Sequence, residues 1–135
     1  MTVDELKKKH PGAVTFTFGD SAWMNDELLG LVVSGRKTAT CAPARDYEAD
    51  PAAMPVVGRR DIATRWDGTP AAVIETTEIT HHRYCDVPED FALAEGEADT
   101  FEGWQRDQRV YFERNGGFSE DMMLVCERFK LVEIL

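Results

Sequence analysis

The segment D-I-A-T-R-W-D-G-T-P-A-A-V-I-E-T-T-E-I, from Asp61 to Ile79, decides the fold class. Asp61–Trp66 and Pro70–Ile79 have the composition of strands, and the second is unusually rich in β-branched residues. The short segment Asp67-Gly68-Thr69 lies between them, and an Asp-Gly turn in this position is typical of a β-hairpin. The centre of the chain is therefore predicted to be β-sheet rather than helix.

Strand and helix patterns alternate irregularly on either side of this hairpin. The predicted elements are a short polar helical lead-in (Thr2–Gly12), a strand (Val14–Phe18), a helix (Ala22–Ser34), extended chain (Arg36–Cys41), a proline-rich loop (Ala42–Pro55), the hairpin, a short helix (Pro88–Leu93), a longer helix (Thr100–Asn115) and a final strand (Met122–Ile134). This order lacks the regular alternation of a doubly wound sheet. It predicts an α+β fold, a small mixed or antiparallel β-barrel with flanking helices. A length of 135 residues fits a single domain over residues 1–135.

The two longer helices are each predicted to bury one face. Helical spacing forms these faces from Trp23, Leu28, Leu31 and Val32 in the first helix and from Trp104, Gln108, Tyr111 and Phe112 in the second.

Acidic residues outnumber basic ones, with 25 Asp and Glu against 15 Lys and Arg and a net charge of -10. A general basic coat for nucleic acid is therefore excluded. The charge is uneven, because Arg36–Arg65 has a local excess of bases whereas Asp86–Glu102 has seven acids and no base. Such blocks form either separate solvated faces or two walls of one cleft.

Several classes of protein are disfavoured by what the sequence lacks. No apolar run approaches the ~20 residues of a membrane span, and the first ten residues contain no apolar signal core. Cys41, Cys85 and Cys126 form no C-x-x-C pair, and the adjacent His81 and His82 would point to opposite faces of a strand. These features predict a cytoplasmic protein with no membrane partner, no metal site and no cofactor.

The most informative side chains lie in S-G-R-K-T-A-T, from Ser34 to Thr40. The glycine fits the end of a helix, and extended chain follows it. On that chain Thr38 and Thr40 share one side, and Lys37 and Ala39 share the other. A twisted or bulged strand start would still bring the Lys37 ammonium near Thr40. By spacing alone, the pattern equally fits a helix-capping lysine followed by ordinary strand residues.

This segment, placed after an amphipathic helix, resembles the signature of the ASCH domains, which belong to the PUA-like superfamily. Further motifs agree in the same order: F-G-D-S-A (Phe18–Ala22), Y-E (Tyr47-Glu48), V-I-E-T-T-E (Val73–Glu78), A-E-G-E (Ala94–Glu97), F-S-E-D-M (Phe118–Met122) and C-E-R-F (Cys126–Phe129). Together they are similar to a bacterial ASCH subfamily formerly catalogued as a domain of unknown function. The resemblance implies a PUA-like β-barrel with peripheral helices and a cleft for RNA or nucleosides.

Two enzymatic lines of ASCH domains are similar to this chain. One hydrolyses the acetyl amide of N4-acetylcytidine, using a Lys and a Thr from a G-R-K-T-x-T segment and a Glu from an A-E-x-E segment. These positions match Lys37, Thr40 and Glu97, which the resemblance implies as catalytic residues. The other line has been described as cutting RNA. The alternatives are therefore an amidohydrolase, a weak ribonuclease using the same cleft, and a non-catalytic RNA-binding module.

Four arginines and one tyrosine are candidates for binding the ligand. Arg36, Arg45, Arg59 and Arg128 could donate hydrogen bonds to a phosphate or carbonyl group, and Tyr47 could stack on a base. A chain with this net charge has only a small local patch for phosphates. The predicted partner is therefore a nucleoside or a short single-stranded RNA rather than a duplex. The sequence leaves the oligomeric state open.

The role of Lys37 depends on its protonation state. A lysine acts as a general base only when its pKa falls well below ~10.4, which requires burial or adjacent cations. A charged ammonium that stabilises an oxyanion requires no such change, and this is the simpler of the two roles.

Overall fold

Five strands and five α-helices make up the fold, in a computed structural model that describes all residues from 1 to 135. The strands are β1 (Thr15–Phe16), β2 (Ala39–Pro43), β3 (Arg60–Thr64), β4 (Pro70–Arg83) and β5 (Met123–Ile134). The helices are α1 (Val3–Lys9), α2 (Ala22–Val33), α3 (Ala44–Ala49), α4 (Glu89–Ala94) and α5 (Phe101–Arg114). None of them is long and apolar enough to cross a membrane.

The strands form one mixed sheet in the order β1-β3-β4-β5-β2. β1 pairs with β3 in parallel, and every other neighbouring pair is antiparallel. Register shifts interrupt the long β4–β5 ladder at Val73/Ile74 and Thr76/Glu78, and bulges of this kind bend a sheet. The predicted α+β class is confirmed. The barrel is open, however, because β1 and β2 are the two edges and no ladder joins them.

Helices pack against the sheet in two apolar clusters. One cluster joins α2 to the sheet and includes Leu28, Val32, Ile74 and Phe129. The other joins α4 and α5 to β2 and β5 and includes Phe91, Trp104, Phe112 and Leu124. The predicted inner face of α5 is confirmed, since Trp104, Gln108 and Phe112 are all buried.

The predicted inner face of α2 is wrong at Trp23, whose residue is 75% exposed. The first turn of α2 buries Asn25 instead. The Asn25 side chain accepts a hydrogen bond from Phe18 N at 2.8 Å and donates one to Thr64 O at 3.0 Å. Because positions two apart on a helix lie about 200° apart, the burial of Asn25 turns Trp23 outward.

The predicted loop over Ala42–Pro55 contains helix α3 and a single 3₁₀ turn, Pro51–Ala53. Pro43 occupies the N-cap of α3, where its fixed φ and missing N–H do no harm. Pro51 starts the following turn, after α3 has ended at its C-cap Asp50. The prolines therefore bracket a short helix instead of preventing one.

Candidate functional site

A cavity of about 310 Å³ lies between the two unpaired edges of the sheet. Residues 14–19, around β1, form one wall, and Thr40–Ala42 of β2 form another. The rest of the lining consists of Asp46 and Tyr47 of α3, Ala53 and Pro55 after it, Asp61 of β3, Tyr111 of α5 and Glu127 of β5. The gap that keeps the barrel open is therefore also the largest recess near the predicted site residues.

A smaller recess of about 90 Å³ adjoins this cavity. Phe18, Thr40 and Tyr111 line both spaces, so the two communicate. Glu95 and Glu97 line only the smaller space. We call the larger space the outer cavity and the smaller one the inner recess.

Lys37 is buried behind the inner recess, and its side chain is 0% exposed. Its Nζ donates hydrogen bonds to Glu97 Oε2 at 2.7 Å and to the Ala39 carbonyl at 2.8 Å, and Glu95 Oε1 lies 3.4 Å away. The turn that leads out of α2 sets this direction, since the Leu31 carbonyl accepts the N–H groups of both Arg36 and Lys37.

Gly96 explains how two glutamates flank one lysine. Its φ of +73° favours glycine, and a Cβ at this position would clash with the Arg36 carbonyl oxygen. The Glu95-Gly96-Glu97 segment can therefore lie directly against the backbone of residues 36 and 37. A larger residue between the two glutamates would push them away from Lys37.

Glu95 is a central residue of the site that the sequence prediction left out. Its Oε2 accepts hydrogen bonds from Trp104 Nε1 at 2.6 Å and from Cys41 Sγ at 3.3 Å. Its Oε1 lies on the Lys37 side. The A-E-G-E motif carried this signal, because it contains a second carboxylate two residues before Glu97.

Burial and charge oppose each other in this group. Burial raises the pKa of Glu95 to about 7, although the positive charge of Lys37 acts in the opposite direction. Burial lowers the pKa of Lys37, but the charges of Glu95 and Glu97 outweigh that effect and hold the pKa above its usual value. Lys37 is therefore a cation, which favours charge stabilisation over a role as general base.

Cys41 is a neutral thiol in this environment. Burial raises its pKa well above the usual value, and the charge of Glu95 adds to the increase. Cys41 is therefore a partly buried strand residue and not an activated thiolate. No three His, Cys, Asp or Glu side chains are grouped in a way that could hold a metal ion.

The structure brings three of the predicted site residues to one place and Tyr47 to the cavity beside them. Lys37 contacts Glu97, and Thr40 lines the recess that Glu97 also lines. Tyr47 lines the outer cavity, where burial raises the pKa of its hydroxyl. No base of Arg36–Arg65 lines either space, so the two charge blocks of the sequence meet at the buried contact of Lys37 with Glu97 rather than as two walls of one cleft.

The four arginines that were predicted to bind the ligand lie outside the lining of both spaces. Arg36 pairs with Asp99, and Arg128 pairs with Asp90 and lies over the Phe91 ring. Arg45 donates to the carbonyls of Asn115 and Gly117, and Arg59 pairs with Asp61. Each guanidinium therefore already has partners within the chain.

Comparison with known proteins identifies relatives of this chain. A family model described as "ASCH domain" matches residues 14–133. An ASCH domain from Lactobacillus crispatus JV V101 is 34% identical, with a TM-score of 0.81 over 94% of this chain and 84% of its own. Protein EF3133 from Enterococcus faecalis V583, whose family model is DUF984, is also 34% identical, with a TM-score of 0.81 over 97% and 85% of the two chains. An ASCH protein from Zymomonas mobilis, 11% identical, shares the fold with a TM-score of 0.55 over 91% of this chain and 71% of its own. No curated protein sequence matches the chain at a significant level.

Proposed function

The chain belongs to the ASCH domain family, and we propose that it is a hydrolase that cleaves the acyl amide of a modified nucleoside such as N4-acetylcytidine. The proposal rests on the 2.7 Å contact between Lys37 Nζ and Glu97 Oε2, beside a recess that Thr40 lines. Amide hydrolysis requires a nucleophile, a group that carries protons and a donor for the oxyanion. Thr40 and Glu97 are suited to the first two roles, and the buried Lys37 ammonium supplies positive charge behind the recess for the third.

The sizes of the two spaces fit this class of substrate. Ligand pockets occupy about 300–1,000 Å³, and the outer cavity of about 310 Å³ stands at the small end of that range. Its aromatic lining includes Tyr47 and Tyr111, which could stack on a base. The inner recess has room for a few atoms, so it would hold an acyl group while the outer cavity holds the nucleoside.

The proposed reaction forms and breaks two bonds to the acyl carbon. Thr40 Oγ1 attacks that carbon and passes its proton to Glu97, while the positive charge of the Lys37 ammonium, buried behind the recess, stabilises the oxyanion. The C–N bond then breaks, Glu97 returns the proton to the leaving nitrogen, and the acyl group remains on Thr40 as an ester. A water molecule hydrolyses the ester, which releases the carboxylic acid and restores the Thr40 hydroxyl.

The test is the release of acetate and cytidine from N4-acetylcytidine by the purified protein. Thr40→Val and Glu97→Gln should each lower kcat by at least about 100-fold, the scale of a lost acid–base or nucleophilic group. Thr38→Val is the matched control and should leave kcat unchanged, since Thr38 is exposed and lies outside the lining of both spaces.

Absence of turnover at high enzyme concentration would overturn the hydrolase proposal. The same preparations, incubated with single-stranded RNA, test the other two family activities. RNA cleavage that Thr40→Val abolishes would identify a ribonuclease, and salt-sensitive binding without any cleavage would identify an RNA-binding module.

A further inference from the structure

Glu127 lies in the outer cavity, directly across the β2–β5 ladder from Thr40. The residue is 8% exposed, so it is more than nine-tenths buried. Its Oε2 accepts a hydrogen bond from the Thr76 hydroxyl at 2.6 Å, whereas Oε1 has no donor within the protein. Arg45 Nε is the only side-chain nitrogen or oxygen that is both fully buried and without a hydrogen-bond partner. Glu127 Oε1 has no partner either, so it is not fully buried. The carboxylate is thus fixed at one oxygen and open to the cavity at the other.

Every charged residue that lines the outer cavity is acidic. These residues are Asp46, Asp61 and Glu127, and no Lys, Arg or His accompanies them. Arg59 balances the charge of Asp61 through an ion pair at 2.8 Å, but neither Asp46 nor Glu127 has an ion-pair partner. The cavity therefore carries acidic groups without ion-pair partners close to the position where a ligand would reach Thr40.

We propose that Glu127 is a specificity-determining residue, which binds a hydrogen-bond donor of an uncharged nucleoside and disfavours phosphorylated ligands. The inference deepens the proposed function and rests on the placement of the ligand in the outer cavity. The open oxygen accepts from a hydroxyl or amine of the ligand, and a hydrogen bond to a charged acceptor is among the stronger kinds. A phosphate at the same place meets like charge and finds no cationic donor.

Binding is measured by titration calorimetry with two probes, cytidine and cytidine 5′-monophosphate. The pH is 8, well above the usual pKa of a glutamate, because burial raises the pKa of the Glu127 carboxyl. Wild type should bind cytidine at least about tenfold more tightly than the monophosphate. In Glu127→Gln that preference should fall at least about fivefold, because cytidine loses a charged acceptor and the monophosphate is less strongly repelled.

Two further variants separate recognition from folding. Thr76→Val frees the carboxylate without removing its charge, so cytidine binding should weaken while the monophosphate remains disfavoured. Glu78→Gln makes the same chemical change on the exposed side of β4 and should leave both affinities unchanged. If Glu127→Gln does not fold, the wild-type preference and the Thr76→Val result decide the question.

Any one of three results would overturn the inference: equal affinity of the wild type for the two probes, binding of neither probe, or an unchanged preference in Glu127→Gln. The proposed function fails separately. A protein that prefers cytidine but never hydrolyses N4-acetylcytidine supports the selectivity and refutes the hydrolase. A protein that hydrolyses N4-acetylcytidine but binds both probes equally supports the hydrolase and refutes the selectivity.

Discussion

Replacement of Lys37 by Met keeps a long side chain and removes the ammonium with which two glutamates pair. Lys37 is 0% exposed, Glu95 is 2% exposed, and the contacts are 2.7 Å to Glu97 and 3.4 Å to Glu95. Removal of one partner from a buried ion pair lowers the free energy of unfolding by about 3–5 kcal/mol. A domain of this length has a total of roughly 7–20 kcal/mol. Lys37→Met should therefore fold but unfold at a lower temperature, by about 10–20 °C.

Arg36→Met is the matched control at the neighbouring position. The Arg36–Asp99 pair has a similar distance of 2.8 Å, but its side chains are 59% and 87% exposed. An exposed pair contributes about 0–1 kcal/mol, so the two variants differ mainly in burial. Urea unfolding, followed by the fluorescence of the three tryptophans, measures both free energies.

The double variant Lys37→Met with Glu95→Gln tests the cause of the loss. The neutral amide that Glu95→Gln introduces still offers an acceptor to Trp104 and leaves no fully buried carboxylate unpaired. At least about 2 kcal/mol of the loss should return, since the two positions are coupled. Equal losses in Lys37→Met and Arg36→Met, or no recovery in the double variant, would refute the view that a buried charge group organises the site.

Two further predictions concern the same segment. Gly96→Ala should lower the free energy of unfolding by at least about 2 kcal/mol, because its Cβ meets the Arg36 carbonyl in addition to the positive-φ strain of about 1–2 kcal/mol. Gly35 has a φ of +82° but open space around it, so Gly35→Ala should lower the free energy of unfolding by the strain alone. Equal losses for Gly96→Ala and Gly35→Ala in urea unfolding would contradict the close approach of Gly96 to the Arg36 carbonyl. Glu95 takes up a proton on folding, since its pKa rises from 4.5 to about 7. As the pH rises from 4.5 to about 7, the free energy of unfolding of the wild type should therefore fall by up to about 3 kcal/mol relative to that of Glu95→Gln. At higher pH the difference should stay constant. Parallel pH profiles of the two proteins would contradict this.

Periodicity predicted the elements of this fold better than it predicted their inward faces. The face of α5 followed helical spacing because its apolar side chains pack directly on the sheet. The first turn of α2 did not, because Asn25 is buried for its hydrogen bonds to Phe18 and Thr64 rather than for its hydrophobicity. Such partners are distant in sequence, so no local pattern identifies them.

The site was predicted in part for a similar reason. Strand alternation placed Lys37 and Ala39 on one side and Thr40 on the other, but it does not say which side faces the interior. The structure buries Lys37 and Ala39 and leaves Thr40 on a cavity wall. The resemblance supplied the link from Lys37 to Glu97. The role of Glu95 required the fold, because its donors Trp104 and Cys41 come from two other elements.

The net charge of -10 can now be related to the choice between RNA and a nucleoside. The basic excess between Arg36 and Arg65 looked like a local patch for phosphates. In the structure, ion pairs occupy Arg36, Lys37, Arg59 and Arg60. A phosphate that bound to these four side chains would have to displace their partners within the chain, and in the outer cavity it would meet only acidic charge. Four of the six bases in this segment therefore balance carboxylates of the same chain. An uncharged nucleoside avoids both penalties, so the charge distribution favours it over RNA as the ligand of this cavity.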